Sequence, residues 1–327
     1  MATYHIIKMK FLTPIHLGKG KDTYDVSSSD LHSDTLIAAL AAMKAQKGQT
    51  DHLDEFMSSF ALSSAFPYSG QFYFLPKPIG KLNIRVRNKE EHEYRKKLKN
   101  IRFAEHSIFT SLVKGECKEI DETAIQGAFI VDVKEKWEQP YKNIVNQRVS
   151  VLRDGGDATP FFFDWRYFYQ DAGLYCITDA TGELFNEIKS LFKQLGEEGL
   201  GTDKNVGGGK FDVEVDEIEL PTVHDANATM LLSLYLPLKE EMGGLQLEQS
   251  KFSLVLRGGY MAGSDTETFR HLWKKSVYMF DVGSVFPVTQ SLKGKIVDLS
   301  PDWNDEHMHP VYRSGKPFCL PVKKSRL

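Results

Sequence analysis

Gly199-Leu200-Gly201-Thr202-Asp203-Lys204-Asn205-Val206-Gly207-Gly208-Gly209-Lys210-Phe211 joins a helix-period segment to a strand-period segment, and this order decides the fold. Five glycines fall within the eleven residues 199–209, and lysines stand at 204 and 210. Glycine has no Cβ, so it reaches positive φ and lets another molecule approach the backbone closely. Successive N–H groups in such a loop can line an anion-binding concavity. Upstream, Leu184, Phe185, Ile188, Leu191, Phe192 and Leu195 make one apolar stripe at helical spacing, with Gly196 and Gly199 as stop signals. Downstream, Phe211, Val213 and Val215 alternate with Asp212 and Glu214, which predicts a half-buried strand. Tyr175-Cys176-Ile177 predicts another strand before the helix.

The loop is not a nucleotide-binding P-loop. Gly209-Lys210 supplies a G-K pair, but Lys204 occupies the place of the first glycine and Phe211 replaces the magnesium-binding Ser or Thr. It also runs from helix to strand, the reverse of both the P-loop and the dinucleotide fingerprint. At 327 residues the length favours two domains. Charged residues make up 26% of the chain and the formal net charge is −3, which counts mildly against a freestanding nucleic-acid binder while leaving room for a local basic groove. Cys117, Cys176 and Cys319 are odd in number and far apart, so neither a disulfide framework nor a zinc spacing is expected. No apolar run approaches the ~18 residues of a membrane span, and the N-terminus lacks a signal-peptide pattern. A cytoplasmic setting is expected.

The remaining pattern extends the strand–helix–strand unit. Residues 3–12 predict a first strand with Ile7, Met9 and Phe11 on one face, and Ser33 or Asp34 is placed to cap a helix carrying Leu36, Leu40 and Met43. Short helices are expected over 52–60, 88–99 and 105–114, and strands at Phe72–Leu75, 127–133 and 145–152. The aromatic run Phe161–Tyr169 is core by default. Residues 81–102 carry nine Lys or Arg against three Glu and predict a solvated helix face with pairs such as Glu91–Arg95. The plan up to about residue 221 is a split β-α-β-β-α-β, ferredoxin-like unit interrupted by long insertions. Residues 222–327 predict a β-richer second domain, with strands at Met230–Leu236, Phe252–Leu256 and Val277–Phe280 and a helix near Thr268–Lys274. The fold class is therefore α+β.

No catalytic constellation stands out: G-x-S-x-G, H-E-x-x-H and D-x-D-x-D-G are all missing, and His307-x-His309 has no companion ligands. Anion and RNA binding fits better. In this plan the loop after the first strand (His16–Lys21) lies near the loop before the last (Gly199–Lys210). Together they would gather His16, Lys19, Lys21, Lys204 and Lys210 with several N–H-rich turns around one cleft. Lysines and backbone amides suit phosphates, and an imidazole can stack on an unpaired base.

The residues also resemble a known family. Leu12-Thr13-Pro14-Ile15-His16-Leu17-Gly18, His32-Ser33-Asp34-Thr35-Leu36, Phe66-Pro67-Tyr68, Leu75-Pro76-Lys77-Pro78 and Ala172-Gly173-Leu174-Tyr175 precede the glycine loop in order. Gly283-Ser284-Val285-Phe286 and His309-Pro310-Val311-Tyr312-Arg313 follow it. Together they are similar to the repeat-associated mysterious protein (RAMP) subunits that cap crRNA 5′ ends in type III-A CRISPR effector (Csm) complexes, the fourth subunit of that series. Thr202 and Ser314 depart from residues common in that family.

The resemblance implies two ferredoxin-like RAMP domains and a non-catalytic role in antiviral defence. It implies crRNA (its 5′ handle), the large polymerase-like signalling subunit and a backbone RAMP subunit as partners, with no cofactor, metal, membrane or small-molecule substrate. The RNA-binding set expected on this basis is His16, Gly18, Lys19, Gly20, Lys21, Ser33, Asp34, Arg148, Arg153, Gly201, Lys204, Asn205, Gly207, Gly208, Gly209, Lys210, Arg257 and Tyr260. Two alternatives stand beside it: a RAMP endoribonuclease processing precursor crRNA with His16 as base, and an enzyme binding a small phosphorylated metabolite at the glycine loop.

Overall fold

The computed structural model describes residues 1–18, 24–132, 137–151, 158–261, 269, 272–288, 290–302 and 308–324. β1 (Ala2–Phe11) is followed by α1 (Ser33–Gln46) and α2 (Leu53–Ser58), then by the hairpin β2 (Phe66–Ser69) and β3 (Phe72–Pro76). An insertion comes next: β4 (Ile84–Val86), α3 (Glu91–Asn100), β5 (Phe103–Glu105), α4 (His106–Val113), β6 (Lys118–Ile120), β7 (Ile125–Gln126) and β8 (Phe129–Ile130). A ribbon of β9 (Tyr141–Ser150) and β10 (Thr159–Phe168) precedes β11 (Ala172–Thr178), α5 (Gly182–Glu198) and β12 (Phe211–Leu220). The rest is β13 (Ala228–Leu231), β14 (Leu254–Arg257), β15 (Val277–Phe280), β16 (Val285–Phe286), β17 (Ile296–Asp298), β18 (Tyr312–Ser314) and β19 (Cys319–Val322).

Eight strands join in the order β12-β1-β11-β2-β3-β5-β8-β7. β1 pairs antiparallel with β12 over ten residues, from Ala2 opposite Leu220 to Phe11 opposite Phe211, and with β11 on its other side. Alternation along β1 sends its side chains to two cores. Ile7 and Met9 join Leu36, Ile37 and Leu40 of α1 and Ile188, Leu191 and Phe192 of α5. Ile6 joins Tyr175 and Ile177 of β11 and Ile108 and Phe109 of α4 on the opposite face. Ala228, Met230, Leu232, Phe318, Leu320 and Val322 enter that second core, so the C-terminal strands complete it. Leu231, Tyr235, Phe280 and Phe286 form a smaller cluster of their own.

Several local expectations are corrected. α1 is capped by His32 through its backbone rather than by Ser33 or Asp34. The Ser33 hydroxyl instead accepts from the Leu234 N–H at 3.0 Å, because a chain crossing from the C-terminal part needs an acceptor there. Gly196 lies inside α5, where a Cβ would stand 2.2 Å from the Phe211 carbonyl oxygen; it allows close helix–strand approach, and Gly199 is the cap. The aromatic run is not all core: Phe163 and Trp165 are buried while Phe162 is 54% exposed, because a two-stranded ribbon has only one covered face. The strands expected at 230–236 and 252–256 are instead Ala228–Leu231 and Leu254–Arg257, overlapping the expected ranges only at 230–231 and 254–256. Residues 272–274 are not helical: Trp273 forms a β-bridge with Tyr260, while 268, 270 and 271 lie outside the described residues. Among the described residues no helix is long and apolar enough to cross a membrane.

Candidate nucleic-acid interface

The two loops that the strand order brings together are tied to each other. Leu12 N–H donates to the Lys210 carbonyl at 2.8 Å, Gly209 N–H to Pro14 at 2.9 Å and Thr202 N–H to His16 at 3.0 Å. The Lys210 N–H donates to the Thr13 hydroxyl at 2.8 Å. Within the glycine loop, Leu200 N–H reaches the Gly209 carbonyl at 3.0 Å and Gly208 N–H the Asp203 carbonyl at 3.1 Å. The amides of Gly208, Gly209 and Lys210 are therefore occupied inside the protein and do not form the open anion cradle expected of them. Gly209 has φ +71°, and a Cβ there would lie 1.9 Å from the Leu200 carbonyl oxygen. Its glycine is required for the loop to close on itself. Gly208 packs under the Trp165 ring, Gly18 faces the Thr202 methyl, and Gly201 lies against the His16 carbonyl.

His16 is fully buried, with Nδ1 2.8 Å from the Asp164 carbonyl oxygen and its ring centred 4.5 Å from Phe163. A carbonyl only accepts, so the proton sits on Nδ1, and buried Nε2 has no partner among the described residues. Phe163 of the ribbon covers the ring, which corrects the expectation of base stacking. Arg148 also turns inward: it lies 2.5 Å from Asp203 Oδ2, with its guanidinium 4.5 Å above Phe163 and 5.2 Å from Trp165. It straps the ribbon to the glycine loop. Lys204, Asn205, Gly207 and Lys210 remain at the surface of this seam, with the Lys204 ammonium 3.9 Å from Glu198. Lys19, Gly20, Lys21 and Arg153 lie outside the described residues.

Ser33, Asp34 and Arg257 assemble elsewhere, at the N-terminus of α1. Asp34 is fully buried and takes Arg257 Nε at 2.9 Å and Nη2 at 3.0 Å, a bidentate pair. Arg313 Nε stands 3.9 Å from the same carboxylate, and its Nη1 donates to the Asp34 carbonyl oxygen at 3.2 Å. Burial pushes the Asp34 carboxyl up, but Arg257 and Arg313 outweigh it and hold it below the usual carboxylate range. Asp34 is thus a buried anchor rather than a surface ligand. Buried Lys274 stands in the same field; burial, helped by Arg313 and Arg257, lowers it to about 8. Sequence reading missed Lys274, whose neighbours come together only through the fold. Tyr260 lies 4.5 Å from Trp273.

The basic insertion is a third region. Lys77, Lys81, Arg85, Lys89, Arg95 and Lys99 line a hollow of about 660 Å³ beside α3. Lys81 pairs with Glu91 at 2.8 Å, replacing the expected Glu91–Arg95 contact, and Lys97 pairs with Glu122 at 2.5 Å. Lys77 donates to the carbonyls of Leu98 and Lys99. Among the described residues no group of three His, Cys, Asp or Glu side chains could hold a metal ion.

Residues 224–322 match the family model of the CRISPR Csm4 C-terminal domain. Over the whole length the chain is similar to "CRISPR system Cms protein Csm4" of Mycobacterium tuberculosis, 28% identical across 94% of both chains. It is equally similar to that of Streptococcus thermophilus, 28% identical across 98% of this chain and 99% of the other. The chain is similar to Csm4 proteins along its length, and its C-terminal part matches their C-terminal domain. Its fold also resembles a chain of the Csm3–Csm4 subcomplex in the type III-A CRISPR-Cas interference complex, with TM-score 0.64 and 17% identity over 99% of this chain and 100% of that one. A chain of the Csm1–Csm4 cassette in complex with cA4 gives TM-score 0.63 at 20% identity over 99% and 100%. These two solved chains share the fold of this one along nearly its whole length.

Proposed function

We propose that this chain is the non-catalytic RNA-binding subunit of a type III-A CRISPR interference complex, a cytoplasmic ribonucleoprotein. It holds the repeat-derived 5′ handle of crRNA and docks the large polymerase-like subunit and the backbone RAMP subunit. The observation that carries this is the hydrogen-bonded seam between the loop after β1 and the glycine loop, a fixed edge that leaves Lys204 and Lys210 at the surface. Family relatives appear in solved structures with Csm1 and with Csm3, which supports the same partners here. The path β1, α1, β2, β11, α5, β12 with strand order β12-β1-β11-β2 supports a ferredoxin-like RAMP unit over residues 1–221, and residues 222–327 form the second. A buried His16, its Nδ1 held by the Asp164 carbonyl, is poorly placed as a nuclease base, which supports a non-catalytic role.

The test is isolation of the assembled complex followed by sequencing of its RNA. Wild type should carry RNAs sharing one 5′ sequence. Lys204→Glu with Lys210→Glu should lose them, and each neutralised lysine should lower the salt slope of single-strand binding by roughly 0.7. If neutralising Lys96, Lys97 and Lys99 flattens the slope while the loop lysines change nothing, the RNA lies on the insertion instead. Labelled precursor RNA with magnesium should stay uncut; cleavage that vanishes in His16→Ala would establish an endoribonuclease.

A further inference from the structure

The hollow beside α3 is lined from two sides. One is α3 itself, which contributes Glu91, Tyr94, Arg95, Leu98 and Lys99, positions i, i+3, i+4, i+7 and i+8 of one helix face. The other is the segment through β4, which contributes Leu82, Ile84 and Arg85. The volume of about 660 Å³ falls within the range of small-molecule sites, roughly 300–1,000 Å³. Every residue that lines it lies among the described residues.

The charges on these two sides do not balance. Three carboxylates line the hollow, and each is already engaged: Glu91 by Lys81 at 2.8 Å, Glu119 by Arg87 at 3.7 Å, and Glu90 by the capping box of α3. Lys89 pairs with Glu93 at 3.4 Å and Glu122 at 3.5 Å, and Lys77 is taken up by the carbonyls of Leu98 and Lys99. Arg85, Arg95 and Lys99 are exposed and form no ion pair among the described residues. Two guanidiniums and an ammonium drawn from both sides suit the oxygens of a short chain of phosphates. The same hollow carries apolar surface. Leu82 is 8% exposed and Tyr94 5% exposed, yet the Tyr94 hydroxyl has no hydrogen-bond partner among the described residues. An apolar lining with one unspent polar group is what a flat heterocycle requires.

We propose that this hollow is a binding site for a free nucleoside polyphosphate, with the phosphates on Arg85, Arg95 and Lys99 and the base against Leu82, Tyr94 and Leu98. It shares no residue with the glycine-loop seam and does not depend on the RNA-binding role proposed for that seam.

The test uses the full chain and ATP labelled on its ribose with a fluorescent methylanthraniloyl group. Unlabelled ATP, adenosine, inorganic triphosphate and a 12-nucleotide single-stranded RNA serve as competitors. Wild type should bind the labelled ATP and release it to ATP, less readily to triphosphate, and not to adenosine. Arg85→Gln and Arg95→Gln change exposed side chains, so Tm should stay near that of wild type. Each should weaken the labelled ATP about tenfold, as expected for one lost charge-assisted contact. Tyr94→Phe removes only the hydroxyl and should weaken it by about two- to fivefold. Lys96→Gln removes a charge from α3 outside the hollow and should leave the affinity unchanged. A loss in Lys96→Gln equal to that in Arg95→Gln overturns the proposal, because any charge on the helix would then serve. Triphosphate that competes as well as ATP overturns the nucleotide as ligand. RNA that displaces the labelled ATP, and itself binds more weakly to both arginine variants, makes the hollow an RNA surface and overturns the proposal. A folded wild type that binds no labelled ATP overturns this site alone, since the handle role is read separately from the RNA of the assembled complex.

Discussion

Asp34 is one carboxylate held by guanidiniums that arrive from residues 257 and 313. Asp34→Ala leaves both partly buried arginines without their counter-ion, and the expected loss is about 3–5 kcal/mol, read as a lower urea midpoint at unchanged m. A loss near zero would mean that water already screens the cluster. Lys274 gives a second handle. Its ammonium titrates at about 8 in the folded chain against 10.5 as a free side chain. Between those values the unfolded chain holds the proton and the folded chain does not, so this group makes stability rise with pH across that window. The difference between wild type and Lys274→Met should therefore shift in favour of wild type from pH 8 to pH 10.5; a difference that stays flat refutes the assignment. In the glycine loop, Gly207 and Gly209 both have positive φ, but a Cβ meets open space at Gly207 and the Leu200 carbonyl at Gly209. Gly207→Ala should cost only the backbone term, about 1–2 kcal/mol. Gly209→Ala should cost clearly more, and equal midpoints would show that the loop yields freely.

Helix α5 and strand β12 touch through Gly196, which ordinary helix propensity disfavours. Alanine there gains about 1 kcal/mol of propensity but places a methyl 2.2 Å from the Phe211 oxygen. Gly196→Ala should lower Tm; a higher Tm would mean that the helix slides away without penalty. This residue shows where sequence reading stops. The apolar stripe Leu184–Leu195 and the alternation after Phe211 specify a helix and a strand, because periodicity records which face is buried. Periodicity does not record distance between elements, so a glycine for close approach and a glycine for a helix end look alike. The candidate interface was legible to the same depth. Adjacent loops followed from strand order, and so did their glycines and lysines. That His16 and Arg148 turn inward was not legible, because it depends on Phe163 and Asp203, remote in sequence. The Asp34 cluster was invisible for the same reason, its arginines lying more than two hundred residues from Asp34.

At the scale of the whole molecule, the two parts share material. Met230, Leu232, Phe318 and Leu320 lie in one core with Ile6, Tyr175 and Ile218, and Asp34 depends on Arg257 and Arg313. A chain ending at residue 221 should lose cooperative unfolding, and co-expression of 222–327 should restore it, as followed by calorimetry. A sharp transition in the short fragment alone would show a self-sufficient unit. The outer margin of the large sheet has a different consequence. β12 lies at one end of the strand order and bears Asp212, Glu214, Asp216, Glu217 and Glu219, while β7, two residues long, lies at the other. A row of carboxylates repels a like neighbour, and a two-residue strand offers almost nothing to pair with. Polymerisation by strand addition thus ends at either margin: the molecule is built as a terminus, not a link. Replacing Asp212, Glu214 and Asp216 by Thr should bring concentration-dependent light scattering in a protein that otherwise stays dispersed.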